Sequence, residues 1–122
     1  RYKRDWLFVL DHCKGIDTVF HHGRAGETYN IGGRNEQENI RVAGLICGIL
    51  DEMARQHLQN SNISSFCDLI SFVSDRPGHD RRYAMDISKI QRELSWQPET
   101  NFVSGLRTTV EWYLKKYKGI GE

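Results

Sequence analysis

Proline, cysteine, net charge and long apolar runs are what this 122-residue chain has least of, with two prolines, three cysteines and a formal charge of +1. Each scarcity excludes something. No stretch approaches the ~20 apolar residues of a bilayer-spanning helix, and no secretory leader is visible in the opening residues. Cys13, Cys47 and Cys67 are widely spaced and contain no CxxC pair. They predict reduced thiols in a cytoplasmic protein, each acting as a small core hydrophobe, and not a disulfide framework. Seventeen Lys and Arg against sixteen Asp and Glu leave no basic surplus of the kind a general nucleic-acid binder carries. Catalytic signatures are scarce too: there is no G-x-S-x-G, no P-loop and no Tyr-x-x-x-Lys. In "YLKKYK", Lys116 follows Tyr113 by three, and Tyr117 takes the fourth place. His21 and His22 are neighbours, so on a helix they point apart and make a poor metal pair.

Hydrophobic residues make up 39% and charged residues 27%, the balance of a globular chain of one domain. "DWLFVL" (Asp5 to Leu10) predicts a strand. Asp11 then caps a helix to about Phe20 with Cys13, Ile16, Val19 and Phe20 on one face. "ETYNI" (27–31) predicts a second strand, stopped by Gly32 and Gly33. From Asn39, a good N-cap, Val42, Leu45, Ile46, Ile49, Leu50 and Met53 recur at helical spacing. Gly44 and Gly48 within that helix each cost roughly 1 kcal/mol relative to Ala, which close packing against a neighbour would explain. "LISFVS" (69–74) predicts a third strand after a polar loop. Asp86 caps a helix through Leu94, and a last helix runs from about Phe102 to Tyr117. The order β-α-β-α-β-α-α predicts an α/β fold with a short mixed sheet and packed helices.

The most unusual stretch is "DRPGHDRRY", 75–83, which sets three arginines, two aspartates and a histidine on a Pro-Gly turn. Arginine's planar fork matches phosphate oxygens two at a time, and His79 adds a donor near Arg76. Alternatively, Asp75 and Asp80 neutralise Arg76, Arg81 and Arg82 in a local ion-pair network. Residue types alone leave both readings open. "YNIGGRNEQEN" places a Gly-Gly turn between strand and helix, but its spacing is not the G-x-G-x-x-G of a dinucleotide loop. Asn39 reads from spacing as a helix cap, and Arg4 as a surface or ion-paired residue.

Four segments in order, "RDWLFVLDH", "GRAGETYNIGGRNEQENI", "DRPGHDRRYAMDISKIQRELSWQPET" and "GLRTTVEWYL", resemble the C-terminal third of the dTDP-glucose 4,6-dehydratases. Those enzymes belong to the extended short-chain dehydrogenase/reductase superfamily. The resemblance covers almost the whole chain, and "DRPGHDRRYA" is its most specific part. It implies that residues 1–122 form the C-terminal nucleotide-sugar-binding portion of a longer cytoplasmic enzyme, homodimeric at full length. It implies NAD held on an N-terminal Rossmann domain that this chain does not include. The implied reaction oxidises the glucose C4, eliminates water across C5 and C6, and returns the hydride to C6. By position in the family's motifs, Arg4, Asn39, Arg76 and His79 form the ligand set for a nucleotide diphosphate sugar. The charged turn then becomes a pyrophosphate clamp with its aspartates as internal braces. The family's NAD loop, its Tyr-x-x-x-Lys pair and its Asp-Glu acid/base pair match nothing here, so the chain alone is expected to be inactive. A related UDP-sugar dehydratase or epimerase, or a stand-alone nucleotide-binding module, is the alternative.

Overall fold

The computed structural model describes residues 2–118. They form two compact units, one from residues 2–38 and 80–102, the other from 39–79 and 103–118.

The first unit is built on a short sheet. β1 (Lys3–Asp5) runs antiparallel to β2 (Glu36–Glu38), with Arg4 opposite Gln37. Lys3 also bridges in parallel to Arg82: its N–H donates to the Arg81 carbonyl (2.8 Å) and its carbonyl accepts from Tyr83 N–H (3.1 Å). The pairing is therefore mixed, as anticipated, but displaced. The expected strand over Asp5 to Leu10 stops at Asp5. The Asp5 carboxylate turns aside to accept the N–H groups of Gly33 and Asn35, both at 2.8 Å, and the Trp6 N–H donates to the Asn35 carbonyl. With the ladder ended, the chain enters helix α1 (Val9–His22) two residues before the expected cap. Phe8 supplies no side-chain cap, and Asp11 lies in the first turn, where a carboxylate suits the positive end of the helix.

The apolar residues of α1 do not define its buried face. Ile16 and Phe20 are exposed, whereas Asp11 and Gly15 are buried. Gly15 allows the close approach: a Cβ there would lie 2.9 Å from Ile31 Cγ2 and 3.2 Å from the Trp96 ring. Ile87, Ile90 and Trp96 form the core, with Leu7, Val19, Tyr29, Ile31 and Leu94 packed against it. The expected strand 27–31 has no ladder. Its alternate residues Tyr29 and Ile31 face the core as a strand's would, but a strand also needs a hydrogen-bonded neighbour, and none lies among the described residues. Helix α3 (Ser88–Leu94) follows expectation: Asp86 Oδ1 accepts the Ser88 N–H at 2.9 Å, and Ser95 ends the helix in the left-handed region (φ 55°).

In the second unit, α2 (Asn39–Met53) matches the periodicity and buries Val42 and Ile49. Two 3-10 turns follow, Arg55–Leu58 and Phe66–Leu69. The second takes up the start of the strand expected over 69–74. The remainder has no ladder among the described residues, with Phe72 and Val73 almost fully exposed. α4 (Phe102–Lys118) runs one residue past the expected end. Ile46 and Leu50 of α2, with Leu106, Val110 and Leu114 of α4, line an apolar groove of about 310 Å³. Arg107 Nη2 donates to Glu52 Oε2 at 2.6 Å between the same helices.

Two expectations fail here for clear reasons. Added Cβ atoms at Gly44 and Gly48 would meet nothing within 4 Å, so no close neighbour accounts for these glycines. The cysteines are not core hydrophobes: Cys13 and Cys67 are exposed and Cys47 is half-buried.

Candidate functional site: the charged turn and its supports

The turn divides between the units at residue 79. On the second-unit side, Asp75 Oδ1 accepts the Arg76 backbone N–H (2.9 Å) and the His79 Nδ1–H (2.7 Å). One carboxylate thus fixes the backbone and orients the imidazole. Gly78 has φ +71°, the left-handed value that a Pro-Gly type II turn demands of its third residue. The Arg76 side chain is exposed, and its guanidinium has no hydrogen bond or ion pair among the described residues. Asn39 opens α2 with its side chain exposed.

On the first-unit side, the charges are used internally. Arg82 grips Glu36 bidentately, Nη2 to Oε2 at 2.8 Å. This pairing holds the Glu36 carboxyl below its ordinary range and pushes the Arg82 guanidinium up. Arg4 donates to the carbonyls of Lys3 (2.7 Å) and Asp80 (3.0 Å) and lies 5.0 Å over the Tyr83 ring. Tyr83 in turn donates its hydroxyl to Asp80 Oδ2 at 2.7 Å. A guanidinium held over an aromatic face loses little further freedom when it meets an anion. The local ion-pair network expected of the turn does not form as read: Asp75 takes His79, Asp80 takes Tyr83, and Arg82 pairs with Glu36 outside the turn. Arg76 stands on a stiff turn whose aspartate is already engaged.

The Gly-Gly turn does not fit a dinucleotide. The N–H groups of Gly33 and Asn35, which would cradle a phosphate, both donate to Asp5. A Cβ on Gly33 would fall 2.0 Å from the Trp6 carbonyl oxygen, so the glycine serves close approach to the chain leaving β1. The N–H groups of this turn are consequently not available to a dinucleotide phosphate. Sequence reasoning missed Asp5, Glu36 and Tyr83 and gave Asp11 the role of a helix cap, whereas it accepts from the Glu99 and Thr100 N–H groups. For Asp5, the available signal was a carboxylate at the head of the apolar run WLFVL. Among the described residues there is no group of three or more His, Cys, Asp or Glu placed for a metal, and no helix is long and apolar enough to cross a membrane.

Comparison with known proteins places this geometry in a family. The profile described as GDP-mannose 4,6 dehydratase matches residues 1–109. A dTDP-glucose 4,6-dehydratase of Escherichia coli is 54% identical over 111 residues, which cover 91% of this chain and 29% of that protein. The crystal structure of dTDP-glucose 4,6-dehydratase from Bacillus anthracis in complex with NAD superposes with a TM-score of 0.76 at 42% identity, covering 96% of this chain and 33% of that one. The Streptomyces venezuelae dTDP-glucose 4,6-dehydratase, solved with NAD bound, gives 0.77 at 38% identity over 96% of this chain and 32% of its own. The fold class is thus the α/β class of the extended short-chain dehydrogenase/reductases. The chain belongs to the GDP-mannose 4,6 dehydratase family and spans about a third of the length of the relatives it matches.

Proposed function

We propose that this chain is the nucleotide-sugar-binding portion of an NAD-dependent dTDP-glucose 4,6-dehydratase, a cytoplasmic lyase that works as a homodimer. The observation that carries the reading is the state of Arg76: an exposed guanidinium on a Pro-Gly turn, with Asp75 committed to His79. Such a group suits the paired oxygens of a diphosphate. His79, oriented by Asp75, offers a second polar contact. Arg4, held over Tyr83, and Asn39, at the start of α2, complete the ligand set. Identity above 50% to dTDP-glucose 4,6-dehydratases over nearly the whole chain supports the sugar nucleotide named. The chemistry assigned to these residues is binding and orientation. Proton and hydride transfer belong to groups this chain does not supply, so no turnover by the chain alone is expected.

The test is a titration of dTDP into the chain, followed by backbone amide NMR, with Arg76→Ala and Arg82→Ala for comparison. Shifts around residues 4, 39 and 75–79 that vanish in Arg76→Ala and persist in Arg82→Ala support the proposal. Shifts that survive Arg76→Ala, or their absence in the unmodified chain, overturn the assignment of the turn as a diphosphate contact in this chain.

A further inference from the structure

Cys47 and Cys67 are twenty residues apart in sequence, and nothing in the chemistry above uses either. The fold brings them together through Asp51. Asp51 lies one helical turn after Cys47 on the same side of α2. Its Oδ2 accepts the Ser65 hydroxyl at 2.6 Å and its Oδ1 accepts the Phe66 N–H at 2.8 Å. Ser65 Oγ then accepts the Cys67 N–H at 3.0 Å, and Asp68 closes a capping box on Ser65. The 3-10 turn Phe66–Leu69 is therefore fastened to α2 with Cys67 beside Cys47. Burial pushes the Cys47 thiol up, and the neighbouring Cys67 thiol and Asp51 add to the rise. Cys67 is exposed and Cys47 half-buried, so an oxidant in solvent reaches Cys67 first.

We propose that Cys47 and Cys67 form a thiol pair that closes to an intramolecular disulfide with a low-molecular-weight disulfide such as glutathione disulfide. The Cys67 thiolate attacks one sulfur of glutathione disulfide. The S–S bond breaks, one glutathione thiolate leaves, and Cys67 carries the mixed disulfide. The Cys47 thiol loses its proton to solvent, and its sulfur attacks Cys67 Sγ and expels the second glutathione thiolate. Two protein thiols are oxidised, one external disulfide is reduced, and the two released protons end on the two glutathione thiols. The bond tethers the 3-10 turn to α2 and leaves Cys13 as the free thiol.

The experiment treats the folded chain with glutathione disulfide and reads thiol count, intact mass and a non-reducing tryptic map, in which cleavage after Arg55 separates the two cysteines. The expected result is loss of two of three thiols, a mass lower by two hydrogens, and the Cys47 peptide joined to the Cys67 peptide. Cys47→Ser should stop at a glutathione adduct on Cys67, and Cys13→Ser should still close the bond. Stable glutathione adducts on the unmodified chain with no internal bond, or a bond that involves Cys13, would overturn the proposal. None of the three readouts depends on nucleotide binding, so failure here leaves the functional reading untouched.

Discussion

Asp11 and Thr100 are joined across 89 residues of sequence: the buried Asp11 Oδ2 accepts the Thr100 N–H at 2.9 Å, and the adjacent Glu99 N–H at 3.2 Å. Only 2% of Asp11 is exposed. The contact ties the first turn of α1 to the segment leading into α4, and it satisfies two backbone donors with one side-chain oxygen. Asp11→Ala should leave both donors without this partner and lower stability by about 2–4 kcal/mol, since each donor left unpaired costs its desolvation. A urea midpoint unchanged from the parent would refute this role.

Glycines at different sites should respond with opposite sign. Gly33→Ala places a Cβ 2.0 Å from a backbone oxygen that has no side-chain freedom to yield, and a loss of about 3 kcal/mol or more is expected. Gly44→Ala and Gly48→Ala enter open space within α2 and should each raise stability by about 0.5–1 kcal/mol. Thermal melts of the three variants decide the matter, and matching signs would contradict the packing described.

Acid should release the turn at Phe66–Leu69. The Asp51 carboxyl is held below its ordinary value of 3.8, first by the Ser65 hydroxyl and then by the Phe66 N–H. Asp68 is lowered in the same way by the Ser64 and Ser65 N–H groups. A depressed folded-state value means the stabilisation is present above 3.8 and lost as pH falls through the lower folded value. Hydrogen exchange at residues 65–69 should therefore accelerate, once corrected for its intrinsic pH dependence, between about pH 5 and about pH 3. Asp51→Asn should flatten that change. Equal protection at both pH values in the parent would count against it.

Arg76 and Arg82 should separate binding from structure. Arg76→Ala is expected to weaken dTDP binding about tenfold or more, the scale of one charge-assisted contact, and to leave the melting temperature unchanged. Arg82→Ala removes the Glu36 pair, and its effect should appear in the salt dependence of stability rather than in affinity. Isothermal titration alongside melts at low and high salt distinguishes the two, and an affinity loss in Arg82→Ala as large as in Arg76→Ala would undo the division.

Helices were more legible in the sequence than strands. The bounds of α2, α3 and α4 emerge from local signals: periodic apolar residues, Asp86 over Ser88, and Ser95 with Trp96 at a helix end. The expected strands over 5–10, 27–31 and 69–74 did not form as read, because alternation describes faces and a strand also needs a partner at hydrogen-bonding distance. β2, by contrast, is the polar run Glu-Gln-Glu, a strand because β1 lies beside it. The charged turn was conspicuous by residue type, yet residue type could not assign its arginines. Arg82 and Arg76 differ only in whether a carboxylate such as Glu36 comes within reach.

By itself the sequence determined what local chemistry encodes: the bounds of α2, α3 and α4, the left-handed Gly78, the charged turn, and the motif order that marks the family. Tertiary structure alone decided which carboxylates were spent. Asp5 went to Gly33 and Asn35, Asp11 to Glu99 and Thr100, Asp51 to Ser65 and Phe66, and Asp75 to His79. Most of these bonds join residues far apart in the chain. A carboxylate's partner depends on which donor the fold delivers to within three ångströms, and no local pattern encodes that distance.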